Sequence, residues 1–168
     1  MAENTFVQIE GIPGEGTEAN HVGWIPLKSI DWNMERTVDM TDLTTKQRGY
    51  ANTNFGKVAV TSDLSKASAK LCTYVASGKV TSLVTIHLCR SGDDASKGME
   101  PYLIIKLNDC MIDSYSVSGG EDSIPNENWT MAYRGIVFEY KESDYKTGKL
   151  SKAGEFKWNL EKGNVSTA

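Results

Sequence analysis

Between Tyr102 and Ser118 apolar and polar side chains alternate in steps of two, and a run this long can settle only as an extended strand with unlike faces. Leu103, Ile105 and Leu107 hold one parity, Cys110 and Ile112 break it, and Tyr115 and Val117 restore it. A strand that loses and regains its apolar face needs an irregularity, so the pattern predicts a bend or bulge between Asn108 and Asp113. Ser114, Ser116 and Ser118 then share the opposite, polar face. Shorter stretches repeat the period: Val7 and Ile9 against Gln8 and Glu10, and Val84, Ile86 and Leu88 against Thr85, His87 and Cys89. Trp129, Met131 and Tyr133 switch parity to Ile136, Phe138 and Tyr140 across Gly135, which predicts a second bulge there.

One helix stands out among the strands. Ser68 is a candidate N-cap, Leu71, Cys72, Val75 and Ala76 form an apolar stripe, and Gly78 sits where a left-handed C-terminal cap belongs. Many strands with one short helix indicate a mainly β domain, either a barrel or a sandwich. With 168 residues the chain fits a single domain, 1–168. Residues 35–54 exceed the usual length of an unstructured connection and mix charged Asp39, Asp42, Lys46 and Arg48 with apolar Val38, Met40, Leu43 and Tyr50. They form either a projecting arm or a surface hairpin.

Composition excludes several classes of function. A net charge of −4 argues against a surface that gathers nucleic-acid phosphates. No apolar run approaches the roughly 20 residues that a spanning helix needs, so membrane insertion is not expected. Met1-Ala2-Glu3-Asn4 has no basic and apolar leader, which points to synthesis in the cytoplasm without a cleavable signal peptide. Cys72, Cys89 and Cys110 are odd in number and widely spaced, as expected of reduced thiols packed as small hydrophobes.

Motifs for chemistry are sparse. Gly11-x-x-Gly14-x-Gly16 lacks the order of a phosphate cradle and reads as a tight loop between strands. Catalysis by a nucleophile and base would require His21 or His87 beside a Ser or Cys. His87 and Cys89 share a strand face, but two residues along a strand separate side chains by roughly 7 Å, too far for an activating hydrogen bond. No set of four N/S ligands has structural-zinc spacing, so neither a metal nor a cofactor is expected. Asp93-Asp94 and Glu121-Asp122 read as solvated turns. Asn128-Trp129-Thr130 and Asn164-Val165-Ser166 match a glycosylation pattern that needs a eukaryotic secretory route.

The order of the motifs resembles a known family. Thr5 to Glu10 leads into Gly11-Ile12-Pro13-Gly14-Glu15-Gly16, then His21-x-x-Trp24-Ile25 and Ser29-Ile30-Asp31-Trp32. There follow Gly56-Lys57-Val58, Ser77-Gly78-Lys79, Tyr102-Leu103-Ile104-Ile105-x-Leu107, Gly119-Gly120-Glu121-Asp122, Glu127-Asn128 and Trp158-Asn159. This series resembles the haemolysin-coregulated proteins (Hcp), the inner-tube subunits of type VI secretion systems. Ser65 and Ala69 depart from the Asp and Pro common around the helix start in that family, and the loop at Ser118-Gly119-Gly120 is shorter than in some relatives.

The resemblance implies a small β-barrel of two sheets with one flanking α-helix, assembled into hexameric rings. The rings stack into a tube that is expelled on sheath contraction and carries effector proteins in its lumen. The implied partners are further copies of the chain, a spike protein of the valine-glycine repeat family, contractile sheath proteins and effectors. The implied route runs from the bacterial cytoplasm to secretion. A tube wall needs a polar inner face, so Ser114, Ser116, Ser118 and Gly119 either line the lumen or form an ordinary outer face. The 35–54 loop, with Asp39, Asp42, Lys46, Arg48 and Tyr50, is the expected contact between subunits or rings. A competing reading is a monomeric β-barrel that binds a small apolar ligand; a hydrolase lacks the residues it would need.

Overall fold

The structure, a computed structural model, describes residues 4–38, 40–41, 53–92, 94 and 96–165. Strands β1 (Thr5–Ile9), β2 (Ile25–Pro26), β3 (Ser29–Asp31), β4 (Met34–Arg36), β5 (Thr53–Phe55) and β6 (Val58–Asp63) precede helix α1 (Ser68–Ser77). Strands β7 (Val80–Ser91), β8 (Met99–Ser118), β9 (Asn126–Ala132), β10 (Gly135–Ser143) and β11 (Leu150–Asn159) follow. No helix among the described residues is long and apolar enough to cross a membrane.

The alternating stretch is β8, and three other strands pair with it: β7 along Met99–Met111, β10 along Leu103–Asn108 and β9 along Met111–Ser118, all antiparallel. Two irregularities account for its two parity switches. Asp109 adopts a positive φ of 47°, after which Cys110 and Ile112 turn inward, and a register shift between Ile112 and Ser114 returns Tyr115 to the core side. Val117, which the pattern placed inside, is exposed near the strand end. The switch at Gly135 is not a bulge. The chain leaves β9, turns through Tyr133 and Arg134, and starts a new strand opposite Asn108, so one long alternation is divided between two pairings of β8.

Among the described residues the mainly β class with two sheets and one flanking helix is the observed fold, but the larger sheet does not close into the expected barrel. Nine strands form one curled sheet with the path β2-β1-β7-β8-β9-β6-β3, from which β10 and β11 branch, and β4 and β5 form a separate two-stranded sheet. Among the described residues the ladder does not close, because β2 and β3 each have one partner, β1 and β6 respectively. The chain itself spans the gap: Leu27 N–H donates to Thr5 O at 2.8 Å and Lys28 N–H to Thr61 O at 2.7 Å, so one short segment passes from the β1 edge to the β6 edge.

Inside this wall Val7, Ile86, Leu107, Trp129, Met131 and Ile136 are almost fully buried, joined by Leu71 and Tyr74 of α1. The interior is therefore filled by side chains. One open surface pocket is lined by groups such as Glu15, Lys28 and Asp63 as well as Leu27 and Ile124. That packing removes the basis of the apolar-ligand reading.

Helix α1 shows two differences from expectation. Its buried positions are Ser68, Leu71 and Tyr74, with Cys72 exposed, and the residue before it, Ala67, provides no side-chain cap. Ser68 Oγ instead accepts from Ser65 N–H at 2.9 Å and donates to the fully buried Glu127 carboxylate at 2.5 Å. Gly78, at φ 64°, ends the helix as expected, and Lys79 N–H returns to Tyr74 O at 3.2 Å. Trp129 fills the core and donates from Nε1 to buried Ser62 Oγ at 3.1 Å. Trp129→Ala should therefore lower unfolding stability by about 3–5 kcal/mol, read from denaturant curves.

Candidate functional site

The polar face of β8 continues across three further strands. Ser116 pairs with Asn128, Asn128 with Thr61 and Thr61 with Ser29; one rung along, Ser114 pairs with Thr130, Thr130 with Ala59 and Ala59 with Asp31. Because strand faces alternate, the neighbouring positions Tyr115, Trp129, Val60 and Ile30 point into the core or pack against it. A shallow groove of about 430 Å³ runs over the two rungs, and of its described lining residues only Asp31 is charged.

Its residues satisfy one another. The Ser114 and Thr130 hydroxyls are 2.5 Å apart, and Thr61 Oγ1 donates to Asn128 Oδ1 at 2.8 Å. Besides Asp31, charge lies at the margins, where Lys28 pairs with Asp63 at 2.5 Å and Lys57 with Asp113, whose carboxylate also accepts from Thr130 Oγ1. Ser114, Ser116, Ser118 and Gly119 are all exposed, and Ser118 pairs with Asn126 at the end of the strand. The structure thus extends the serine stripe to Ser29, Asp31, Thr61, Asn128 and Thr130. Each of these has a polar or exposed parity in its own strand, but the register that aligns them is a long-range property.

Asp39, Asp42, Lys46, Arg48 and Tyr50 lie outside the described residues. The flanks of their segment pair as β4 and β5, and Met34, Val38 and Met40 are exposed. This stem is joined to the main sheet by polar contacts. Gly56 N–H donates to Asn33 O at 2.8 Å, the Tyr133 hydroxyl donates to Gly56 O at 2.7 Å, and Trp32 Nε1–H donates to the Tyr133 oxygen at 2.7 Å.

A second polar cluster lies where the glycine-rich loop meets β7. A Cβ on Gly14 would fall 2.3 Å from Trp24 O, and one on Gly16 would fall 2.6 Å from His21 O, so only glycine permits this fold of the loop. The folded loop buries His21, whose ring stacks on Phe6 at 4.5 Å and meets Trp24 edge-on. His21 Nδ1 is bonded to the Glu18 carboxylate, while Nε2 lies 3.0 Å from His87 Nδ1 and 3.6 Å from Cys89 Sγ.

Strand spacing alone had kept His87 and Cys89 apart. A register shift between Leu88 and Cys89 breaks the regular alternation, and the ligand atoms of the pair come within 4.8 Å of each other, with His21 supplied by a distant loop. Sequence reading missed this cluster because its members are joined only through tertiary contacts.

The electrostatics run against nucleophilic chemistry at this thiol. Burial pushes the Cys89 thiol up to about 12, with the charge of Glu18 adding to the shift. An activated cysteine has the opposite displacement. Burial, followed by charge on His21, Lys141 and Lys106, brings His87 down to about 4. Burial opposes ionisation of Glu18, yet hydrogen bonds from Met99 N–H, His21 and Asn20 N–H together hold its carboxyl below the usual range.

Comparison with known proteins decides the family. A family model described as "Type VI secretion system effector, Hcp" matches residues 6–140. The chain belongs to the Hcp family. Solved structures share its fold: one described as a type six secretion system protein has a TM-score of 0.86 at 24% identity and covers 97% of this chain and 99% of its own. Hcp1 from Salmonella typhimurium has a TM-score of 0.71 at 20% identity, covering 98% and 99%. A type VI secretion system effector from Yersinia pestis has a TM-score of 0.66 at 22% identity, covering 90% and 98%. Among curated proteins none matches the sequence.

The thiols of this Hcp chain differ sharply in environment. Cys72 is exposed, while Cys89 and Cys110 are buried, and burial, aided by Asp113, also pushes Cys110 up to about 12. Titration of the folded protein with a chromogenic disulfide at mildly alkaline pH should release the Cys72 equivalent rapidly and the other two only after denaturation. Rapid reaction of all three would contradict the burial described.

Proposed function

We propose that this Hcp chain is a structural subunit of a type VI secretion inner tube. Six copies close a ring, rings stack, and the polar groove face of β3, β6, β9 and β8 lines the lumen. The observation that carries this reading is the breadth of that face: two rungs of Ser, Thr, Asn and Ala side chains cross four strands with Asp31 as the one charge in the groove. Such a surface suits passage of folded cargo, since it offers neither an apolar patch to hold it nor a field of one sign to select against it.

Free strand edges support assembly. Among the described residues β11 pairs as a strand with β10 alone, leaving the outer edge of residues 150–158 for a neighbour. An edge of this length left bare invites indiscriminate pairing, which a closed ring prevents. The 35–54 segment, carried on the β4–β5 stem, is the contact to an adjacent subunit or ring. Partners are other copies of the chain, the spike, the contractile sheath and effectors. The subunit is made in the bacterial cytoplasm, leaves with the expelled tube and performs no catalysis, a view supported by the burial that pushes its histidine-linked thiol up to about 12.

Two experiments test the arrangement. With Cys72 replaced by serine, Ser116→Cys should react with a bulky polymer maleimide in free subunits and become protected in assembled tubes; equal rates in both states would overturn the lumenal placement. Deleting residues 41–50 should abolish tubes seen by electron microscopy while leaving the domain folded, and unaltered tubes would remove the arm from the assembly.

A further inference from the structure

We propose that His21, His87 and Cys89 form a binding site for a divalent transition metal of the zinc class, with Glu18 positioning His21 from behind. One ligand atom from each of the three residues, a ring nitrogen of His21 and of His87 and the Cys89 Sγ, lies within 4.8 Å of the others. Zinc bonds of about 2.0–2.1 Å to nitrogen and about 2.3 Å to sulfur, at tetrahedral angles, place two nitrogens roughly 3.3 Å apart and a nitrogen and sulfur roughly 3.6 Å apart. The observed separations from His21 Nε2 are 3.0 Å to His87 and 3.6 Å to Cys89. The remaining pair, His87 and Cys89, falls within the same 4.8 Å limit, and His87 is half-exposed.

The surroundings have the form that supports a metal-bound imidazole. Glu18 takes the Nδ1 side of His21, which leaves Nε2 with a single lone pair faced by two further donor atoms. A carboxylate behind a ligating histidine fixes its ring and raises its basicity. Glu18 is itself held, since Met99 N–H donates to Oε1 at 2.9 Å and Asn20 N–H to Oε2 at 3.1 Å. Phe6 stacked on the imidazole and Trp24 edge-on to it limit its rotation. Two imidazoles and a thiolate select a borderline or soft ion over magnesium or calcium. On binding, Cys89 releases its proton to solvent, and water fills the fourth tetrahedral position. The ion would clamp the Gly14–Trp24 loop to β7, joining the first part of the chain to the sheet.

The test uses full-length protein without a histidine tag, stripped with a chelator and titrated with cobalt(II). A thiolate-to-cobalt charge-transfer band in the near ultraviolet and tetrahedral d–d bands should rise together to one equivalent and be bleached by zinc. Cys89→Ser should abolish the charge-transfer band, Cys72→Ser should leave it intact, and Glu18→Gln should weaken binding by roughly 10-fold or more. His87→Ala, at a half-exposed position, should lose binding while circular dichroism shows an unchanged fold. It stands in for Cys89→Ser if that variant does not fold. Absence of the charge-transfer band at one equivalent, with the same melting temperature in zinc and in chelator, would overturn the proposal. So would a band that follows Cys72 instead of Cys89.

Discussion

The period-two geometry of a strand constrains everything around β8. A regular strand of twenty residues keeps each side chain on one face throughout, and a curved wall around a small core cannot use a straight ribbon of that length. Two local breaks reconcile the demands. Asp109 takes a left-handed conformation that Asp tolerates better than most residues, and the register shift before Ser114 restores the original parity. Between the breaks Cys110 and Ile112 enter the core; beyond them Tyr115 does, and Ser114 and Ser116 face out. The curl of the sheet and the polar groove therefore have a common origin.

Polar groups inside the wall serve as ties. Glu127 is fully buried on β9, and its bond with Ser68 joins the helix to the sheet. Burial, with the Glu127 carboxylate beside it, also pushes the Tyr115 hydroxyl up to about 12. A buried carboxylate without partners is costly, so this contact fixes where α1 lies and explains why Ser68 is turned toward the sheet. The Glu18–His21 pair does the same for the glycine-rich loop, under which Phe6 of β1 packs.

The fold gives an Hcp subunit distinct surfaces for distinct tasks. The groove face is polar with Asp31 as its charged lining residue; among the described residues β11 pairs as a strand with β10, and β4 and β5 form a sheet of their own. In the proposed tube, inner lining, lateral contact and axial contact need such separation, because a single surface cannot both release cargo and hold a neighbour.

Alternation alone determined the class of this protein. It showed the strands, the bend near Asn108 to Asp113, the stop at Gly78 and the serine stripe, because each depends on neighbours within a few residues. The order of motifs from Thr5 to Trp158 determined its kinship. Tertiary structure decided what depends on register and on long-range contact. It turned the break at Gly135 into a change of pairing along β8, carried the stripe on to Asp31, Thr61 and Asn128, and left the ladder open where Leu27 and Lys28 pass between edges. It also placed His21 against His87 and Cys89. A chain shows its periodicity locally, but strands distant in sequence align only when the whole core packs, and these contacts are products of that packing.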